Sequence, residues 1–167
     1  ARRATMPLLE RGRLMGLAVA TPNEAITPSV ADELSDAQIK LSSAPMVVDL
    51  SALWAGPLCS HILQQCGFRV VKVESVQRPD GAREGSPIHF NALHQGKRLR
   101  RFDFADANDL QGLRELLASA DVVIEGSRPR ALRALGLDRD SLMGGACSAT
   151  SSQLWLSLTA YGRPRPY

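Results

Sequence analysis

Long apolar runs are missing from this sequence. No stretch of about twenty uninterrupted apolar residues exists, which excludes an ordinary transmembrane helix and points to a soluble chain with no membrane partner. The basic start (Arg2, Arg3, Arg11, Arg13) lacks the continuous apolar segment and small-residue cleavage site of a secretory signal. Cysteine is scarce: Cys59, Cys66 and Cys147 are odd in number and form no C-x-x-C pair, so reduced thiols in a cytoplasmic protein are expected. Neither sign of charge dominates, since 20 basic against 17 acidic residues leave a formal +3, too little and too scattered to demand nucleic acid. The densest basic cluster, Lys97-Arg98 with Arg100-Arg101, has no interleaved aromatics to stack bases. His89 and His94 have no Cys or carboxylate at metal-ligand spacing, and His61 reads as a packing or surface residue, so no metal is expected. Neither G-x-G-x-x-G nor a P-loop is present, which argues against an NAD dehydrogenase or an NTPase.

What is present is organised around residues 46–74, MVVDLSALWAGPLCSHILQQCGFRVVKVE. Met46, Val47 and Val48 open a strand, and Asp49 and Ser51 close it with groups able to hydrogen-bond the following loop. Gly56 permits a sharp turn, Pro57 suits a first helical position, and Leu58, Ile62, Leu63 and Cys66 recur at helical spacing, with Cys59 and Cys66 as small core residues on one helix face. Gly67 ends the helix, and residues 69–73 form the next strand. This is one βαβ unit, whose two strands must be parallel.

Around it, residues 6–15 suit a short helix, 16–20 a strand and 31–41 a further helix within a Ser-, Ala- and Pro-rich linker. The composition changes at Pro45, the boundary between a 1–45 segment and a 46–167 domain. Residues 75–96 have no sustained apolar period and are expected to be a long loop. Residues 100–104 suit a strand, and Asp106 or Asn108 can cap a helix buried through Leu110, Leu113, Leu116 and Leu117. Residues 120–125 read as a buried parallel strand, 128–135 as a short helix stopped by Gly136, 138–143 as another helical turn, and 153–159 as the last strand with Trp155 in the core. Strands alternating with helices imply an α/β, Rossmann-like, doubly wound and mostly parallel sheet with flanking helices.

In such a sheet, ligands lie outside the carboxyl ends of the strands where the strand order reverses. That places residues 52–56, 75–83, 126–130 and 159–163 around a site. Helix amino ends near Gly56-Pro57 and Ser127-Pro129, with Arg78, Arg83, Lys97, Arg128 and Arg130 nearby, favour a phosphate-bearing guest.

Five ordered segments (VVDLSALWAGPLCSHIL, GFRVVKVES, HQGKRLRRFDF, ADVVIEGSRPRALRALGLD and LSLTAYGRPRPY) resemble the family III CoA-transferases, which include formyl-CoA transferase, carnitine CoA-transferase and alpha-methylacyl-CoA racemase. The resemblance implies a Rossmann-like large domain, interlocked dimers, and coenzyme A or acyl-CoA at the carboxyl edge of the sheet. By match to the family's motifs, Leu53 and Trp54 are expected beside the thiol arm, Ser75 near the nucleotide, Phe102 and Asp103 by the adenine, Gly126, Ser127 and Arg128 in a second CoA loop, and Thr159, Ala160 and Tyr161 on the way to the active site. Ser75 replaces a basic residue common in the family, and Gly126-Ser127 departs from its usual Asn-Phe, with Arg78 or Arg128 placed to compensate.

The family's chemistry implies an aspartate that attacks the acyl-CoA thioester, forms an acyl-aspartyl anhydride and passes CoA to an incoming carboxylic acid. By resemblance that aspartate lies after Tyr167, so the chain is expected to be the CoA-binding portion, completed by a homodimeric partner or a second chain. Two alternatives stay open: an acyl-CoA racemase or isomerase using a His and acid pair, and a noncatalytic nucleotide-binding or dimerisation module. LLERGRLMGLAVATPNEA also resembles part of the family's smaller domain, as in a fused transferase; a plain N-terminal helix and linker is the simpler reading.

Overall fold

The computed structural model describes residues 5–15, 44–142 and 153–158. They fall into two compact units: one holds helix α1 (Thr5–Leu14), the other everything from residue 44 to 158. The strand expected at 16–20 and the helix expected at 31–41 lie outside the described residues, as do Thr159, Ala160 and Tyr161. No described helix is long and apolar enough to cross a membrane.

The larger unit is built on a five-stranded sheet of β1 (Met46–Asp49), β2 (Arg69–Ser75), β3 (Arg98–Phe102), β4 (Val122–Glu125) and β5 (Leu154–Ser157). The strand order is β3-β2-β1-β4-β5, and every pairing is parallel. The chain therefore winds outward from β1 to β3, returns past the starting strand, and winds outward again through β4 and β5. This is the doubly wound arrangement, with its reversal between β1 and β4.

Both sheet faces are covered. On one, Val47, Val70, Val122 and Ile124 pack with Cys59 and Leu63 of α2 (Ala55–Gln65). On the other, Val48, Val71, Val73, Phe102 and Val123 pack with Leu113 and Leu117 of α5 (Ala107–Ala118) and Leu132 of α6 (Pro129–Ala134). Strands buried on both sides read as continuous apolar runs, as β1 and β4 do. Asp106 caps α5, its carboxylate accepting from the N–H groups of Asn108 and Asp109 at 2.8 and 2.9 Å. Gly67, at φ +94°, ends α2 as its residue type allows.

Several expectations need correction. Residues 75–96 are not a plain loop: they contain α3 (Ala82–Gly85) and α4 (Pro87–His94), both too short to show an apolar period. Helix α2 begins at Ala55 rather than Pro57. Strand β3 ends at Phe102 rather than Phe104, because the Asp109 carboxylate takes the Asp103 N–H at 2.6 Å and turns the chain away. The inner face of α2 carries Gly56, Pro57 and Ser60, with Cys59 and Leu63 packed on the sheet, while Leu58, Ile62 and Cys66 are exposed, so the core placement expected of Cys66 does not hold. Small residues face the sheet here because the helix approaches the strand end closely. A Cβ added at Gly56 would lie 1.9 Å from Ser51 Oγ and 2.2 Å from Ser51 Cβ, leaving no room for any other residue.

Candidate functional site

At the carboxyl end of β1 the sequence leaves the apolar run for Asp49 and Ser51, and these side chains turn inward. Asp49 is wholly buried: Oδ1 accepts from the main chain of Ser51 at 2.9 Å and from its hydroxyl, and Oδ2 accepts from the Ser60 hydroxyl on α2. Lys97, just ahead of β3, reaches under α2 to place Nζ 3.8 Å from Asp49 Oδ2, donating to Ser60 Oγ at 2.7 Å and to the Pro57 carbonyl at 2.8 Å. Burial, opposed by Asp49 and reinforced by Lys72, draws the Lys97 ammonium down to about 8. Burial with the Asp49 charge pushes the neighbouring Cys59 thiol up.

A second buried charge pair joins Lys72 of β2 to Asp80 beyond the strand's end, and the strand's alternation puts Lys72 and Glu74 on the same face as Val70. Lys72 Nζ donates to the Ser51 carbonyl and stands 3.6 Å from Asp80 Oδ2. Asp80 accepts from the Leu53 N–H at 3.0 and 3.2 Å and from the Ala82 N–H at 3.0 Å. Leu53 has φ 69°, a left-handed conformation that costs an ordinary residue roughly 1–2 kcal/mol. Glu74 takes a forked contact from Arg83 at 3.0 to 3.2 Å, and the Arg83 guanidinium covers the Phe90 ring at 4.2 Å.

His94 of α4, expected in a loop, is instead buried. Its ring lies 4.3 Å from Phe90 and neither nitrogen has a hydrogen-bond partner. Burial first, then the charges of Lys97 and Lys72, lower its pKa to about 4, so it is neutral at neutral pH. Phe90, Asn91, Ala92, His94, Gln95 and Leu99 line an open hollow of about 310 Å³.

The expected site residues fall in two groups along the carboxyl edge. Over β1 and β4, Leu53 and Trp54 are exposed on the α2 approach, with Trp54 edge-on to His89 at 5.8 Å. Gly126 follows β4, where an added Cβ would stand 3.7 Å from Ser51 Cβ, so the loops after β1 and β4 adjoin at the reversal. The Ser127 N–H donates to Glu125 at 2.9 Å, and Arg128 is exposed at the head of α6. Over β2 and β3, Ser75 pairs in register with Phe102, and Gln77 joins the Ser75 hydroxyl to the Asp103 carboxylate. The Ala105 N–H and then Gln77 hold the Asp103 carboxyl below its usual range. The Phe102 ring is only 2% exposed and belongs to the core, so its side chain offers no stacking face to the crevice. Reading the sequence missed Ser60, Lys72 and Glu74; for the two charged residues the available signal was charge alternating with valine inside an otherwise apolar strand. Among the described residues no group of three or more His, Cys, Asp or Glu side chains is placed to hold a metal ion.

A parallel α/β sheet with polar loops gathered at its reversal defines a Rossmann-like binding domain. Comparison with known proteins narrows this class. The family model for CoA-transferase family III matches residues 45–146, and the chain belongs to that family. It is 32% identical over 136 residues to an acyl-CoA transferase of Fusarium pseudograminearum, covering 72% of this chain and 29% of that protein. It is 28% identical over 134 residues to a succinate–glutarate CoA-transferase of Agrobacterium fabrum, covering 72% and 32%. Among solved structures, a Mycobacterium tuberculosis protein described as hypothetical matches with a TM-score of 0.64 and 31% identity, over 76% of this chain and 35% of that one. The chain thus spans about a third of the length of the relatives it matches.

Proposed function

We propose that this chain is the CoA-binding part of an acyl-CoA:carboxylate CoA-transferase, with the boundary of its binding domain near Pro45. The observation that supports this most strongly is the meeting of the β1–α2 and β4–α6 loops at the sheet reversal, within the stretch matched by the family. In this reading the pantetheine arm of CoA runs past Leu53 and Trp54. Gly126, Ser127 and Arg128 face it from the neighbouring loop, Ser75 and Asp103 flank the nucleotide, and Thr159 and Tyr161 are assigned to CoA by resemblance to the family alone. The exposed Arg128 supplies positive charge for phosphate.

The proposed reaction transfers CoA between carboxylates. An aspartate oxygen attacks the thioester carbonyl, the C–S bond breaks, and CoA leaves as thiolate, giving a mixed anhydride at an energy close to that of the thioester. The thiolate then attacks the aspartyl carbonyl, forming an aspartyl-CoA thioester and releasing the first acid. An incoming carboxylate attacks the aspartyl-CoA carbonyl and expels the thiolate, and the thiolate then attacks the acyl carbonyl of the new anhydride, giving the new acyl-CoA and freeing the aspartate. Asp49, Glu74 and Asp80 are buried and held by hydroxyls, main-chain N–H groups, lysine or arginine, which disqualifies them as nucleophiles. By resemblance to the family the nucleophile belongs after Tyr167, and a second copy or another chain completes the cytoplasmic enzyme.

The test is calorimetry of the chain with CoA, followed by acyl-CoA exchange with a labelled carboxylate. Binding without exchange is the expected result. Exchange at a normal enzymatic rate by the chain alone contradicts the placement of the nucleophile, and no binding contradicts the reading as a whole.

A further inference from the structure

We infer that Asp80 is a positioning residue that holds the Leu53–Trp54 turn in the shape that walls the crevice; this rests on the crevice being the CoA site proposed above. Leu53 is the described non-glycine residue with positive φ, and its side chain is 60% exposed, so burial of the side chain does little to offset the conformation. Strained conformations of this kind persist only where the surroundings over-determine them. Here the determinant is a main-chain contact: the Leu53 N–H points at both oxygens of Asp80, at 3.0 and 3.2 Å.

Asp80 is itself fixed. It is 4% exposed, faces the Lys72 ammonium at 3.6 Å, and accepts the Ala82 N–H at the head of α3 at 3.0 Å. Lys72 also donates to the carbonyl of Ser51, two residues before Leu53. The turn after β1 is therefore gripped at its carbonyl by the lysine and at its N–H by the aspartate. The same carboxylate ties that turn to α3, whose Arg83 is forked onto Glu74. The loops after β1 and β2 consequently hold one fixed spacing, and the exposed side chains of Leu53 and Trp54 are presented from a rigid turn.

A carboxylate suits this place because both of its oxygens accept. An amide of the same shape offers one acceptor and brings an NH₂ group against either the Leu53 N–H or the Lys72 ammonium. Asp80→Asn should therefore release the turn while filling the same volume. Leu53→Val probes the contact from the other side, since a β-branched residue opposes positive φ whereas Leu53→Met does not.

The experiment uses the full chain, ¹⁵N-labelled, as wild type, Asp80→Asn, Leu53→Val, Leu53→Met and the Asp80→Asn/Leu53→Val pair. Without ligand, amide exchange at position 53 should rise at least tenfold in Asp80→Asn and Leu53→Val, with Val47 and Val123 in the central strands unchanged and Leu53→Met like wild type. With CoA, calorimetry should show at least fivefold weaker binding in each of the first two variants, and a loss in the double variant no greater than in the weaker single. Exchange at the wild-type rate in Asp80→Asn, or affinity losses that multiply in the double variant, overturns the inference. If Asp80→Asn does not fold, Leu53→Val against Leu53→Met decides it, and equal exchange in those two overturns it. Failure of the wild type to bind CoA overturns the functional reading, and the ligand-free exchange tells that outcome apart.

Discussion

Lys97 Nζ stands 3.8 Å from Asp49 Oδ2 with both side chains fully enclosed, joining the start of β3 to the end of β1 beneath the first turn of α2. Removing one member of such a pair leaves the other charge buried and uncompensated. Lys97→Met should destabilise the chain by about 3–5 kcal/mol in urea unfolding. Adding Asp49→Asn should recover part of that loss, so that the double variant costs less than the sum of the singles.

The pH dependence of this pair has a definite sign. Lys97 titrates near 8 in the folded chain against 10.5 when unfolded, so between those values the unfolded state holds more protons and stability rises with pH. Urea midpoints of Lys97→Met, followed from pH 8 to 10.5, should lack the increment that wild type shows.

Gly56 is held by contact rather than by backbone angle. Gly56→Ala sets a methyl group against the Ser51 side chain at 1.9 to 2.2 Å, so the helix must move off the strand end. A cost of about 1–3 kcal/mol is expected by thermal unfolding. Ser51→Gly in the same chain should return some of it by vacating the space the new methyl takes.

These residues also show what the sequence could convey. The order strand, glycine turn, helix and strand over residues 46–74 was legible, because valine runs, Gly56-Pro57 and Gly67 each act locally. The Asp106 cap of α5 and its Leu113 and Leu117 stripe were legible for the same reason. The facing of α2 was not: a stripe rule assumes that large apolar residues point inward, whereas close approach at the strand end demands Gly56 and Ser60 there and turns Leu58 and Ile62 out. Helices α3 and α4 escaped because Asp80, Ser86-Pro87 and the Arg83–Glu74 contact shape that segment, and no apolar period marks any of these. Lys72 and Glu74 escaped because charge alternating with valine normally signals a strand with one wet face, and only the fold reveals that this face is covered.

His94 makes the fold acid-sensitive. Its folded pKa of about 4 lies below the ordinary 6.5, so between these values the unfolded chain binds the proton more readily and stability falls as pH falls through that window. The loss should reach on the order of 3 kcal/mol below pH 4. His94→Leu should remove this part of the slope when urea midpoints are compared from pH 4 to 7.

The Asp106 cap bears on stability alone in this test. Asp106→Ala should cost about 1 kcal/mol through the two lost main-chain contacts, read by urea unfolding without ligand.

The central claim is that CoA lies at the carboxyl edge of the sheet, across the reversal between β1 and β4. Amide shift mapping of the ¹⁵N-labelled chain titrated with CoA tests it most directly. The account predicts saturating shifts at Leu53, Trp54, Gly126 and Ser127. Shifts confined to the opposite edge, at Gly67, Ala120 and Gly136, or none from a folded chain at roughly millimolar CoA, would contradict it.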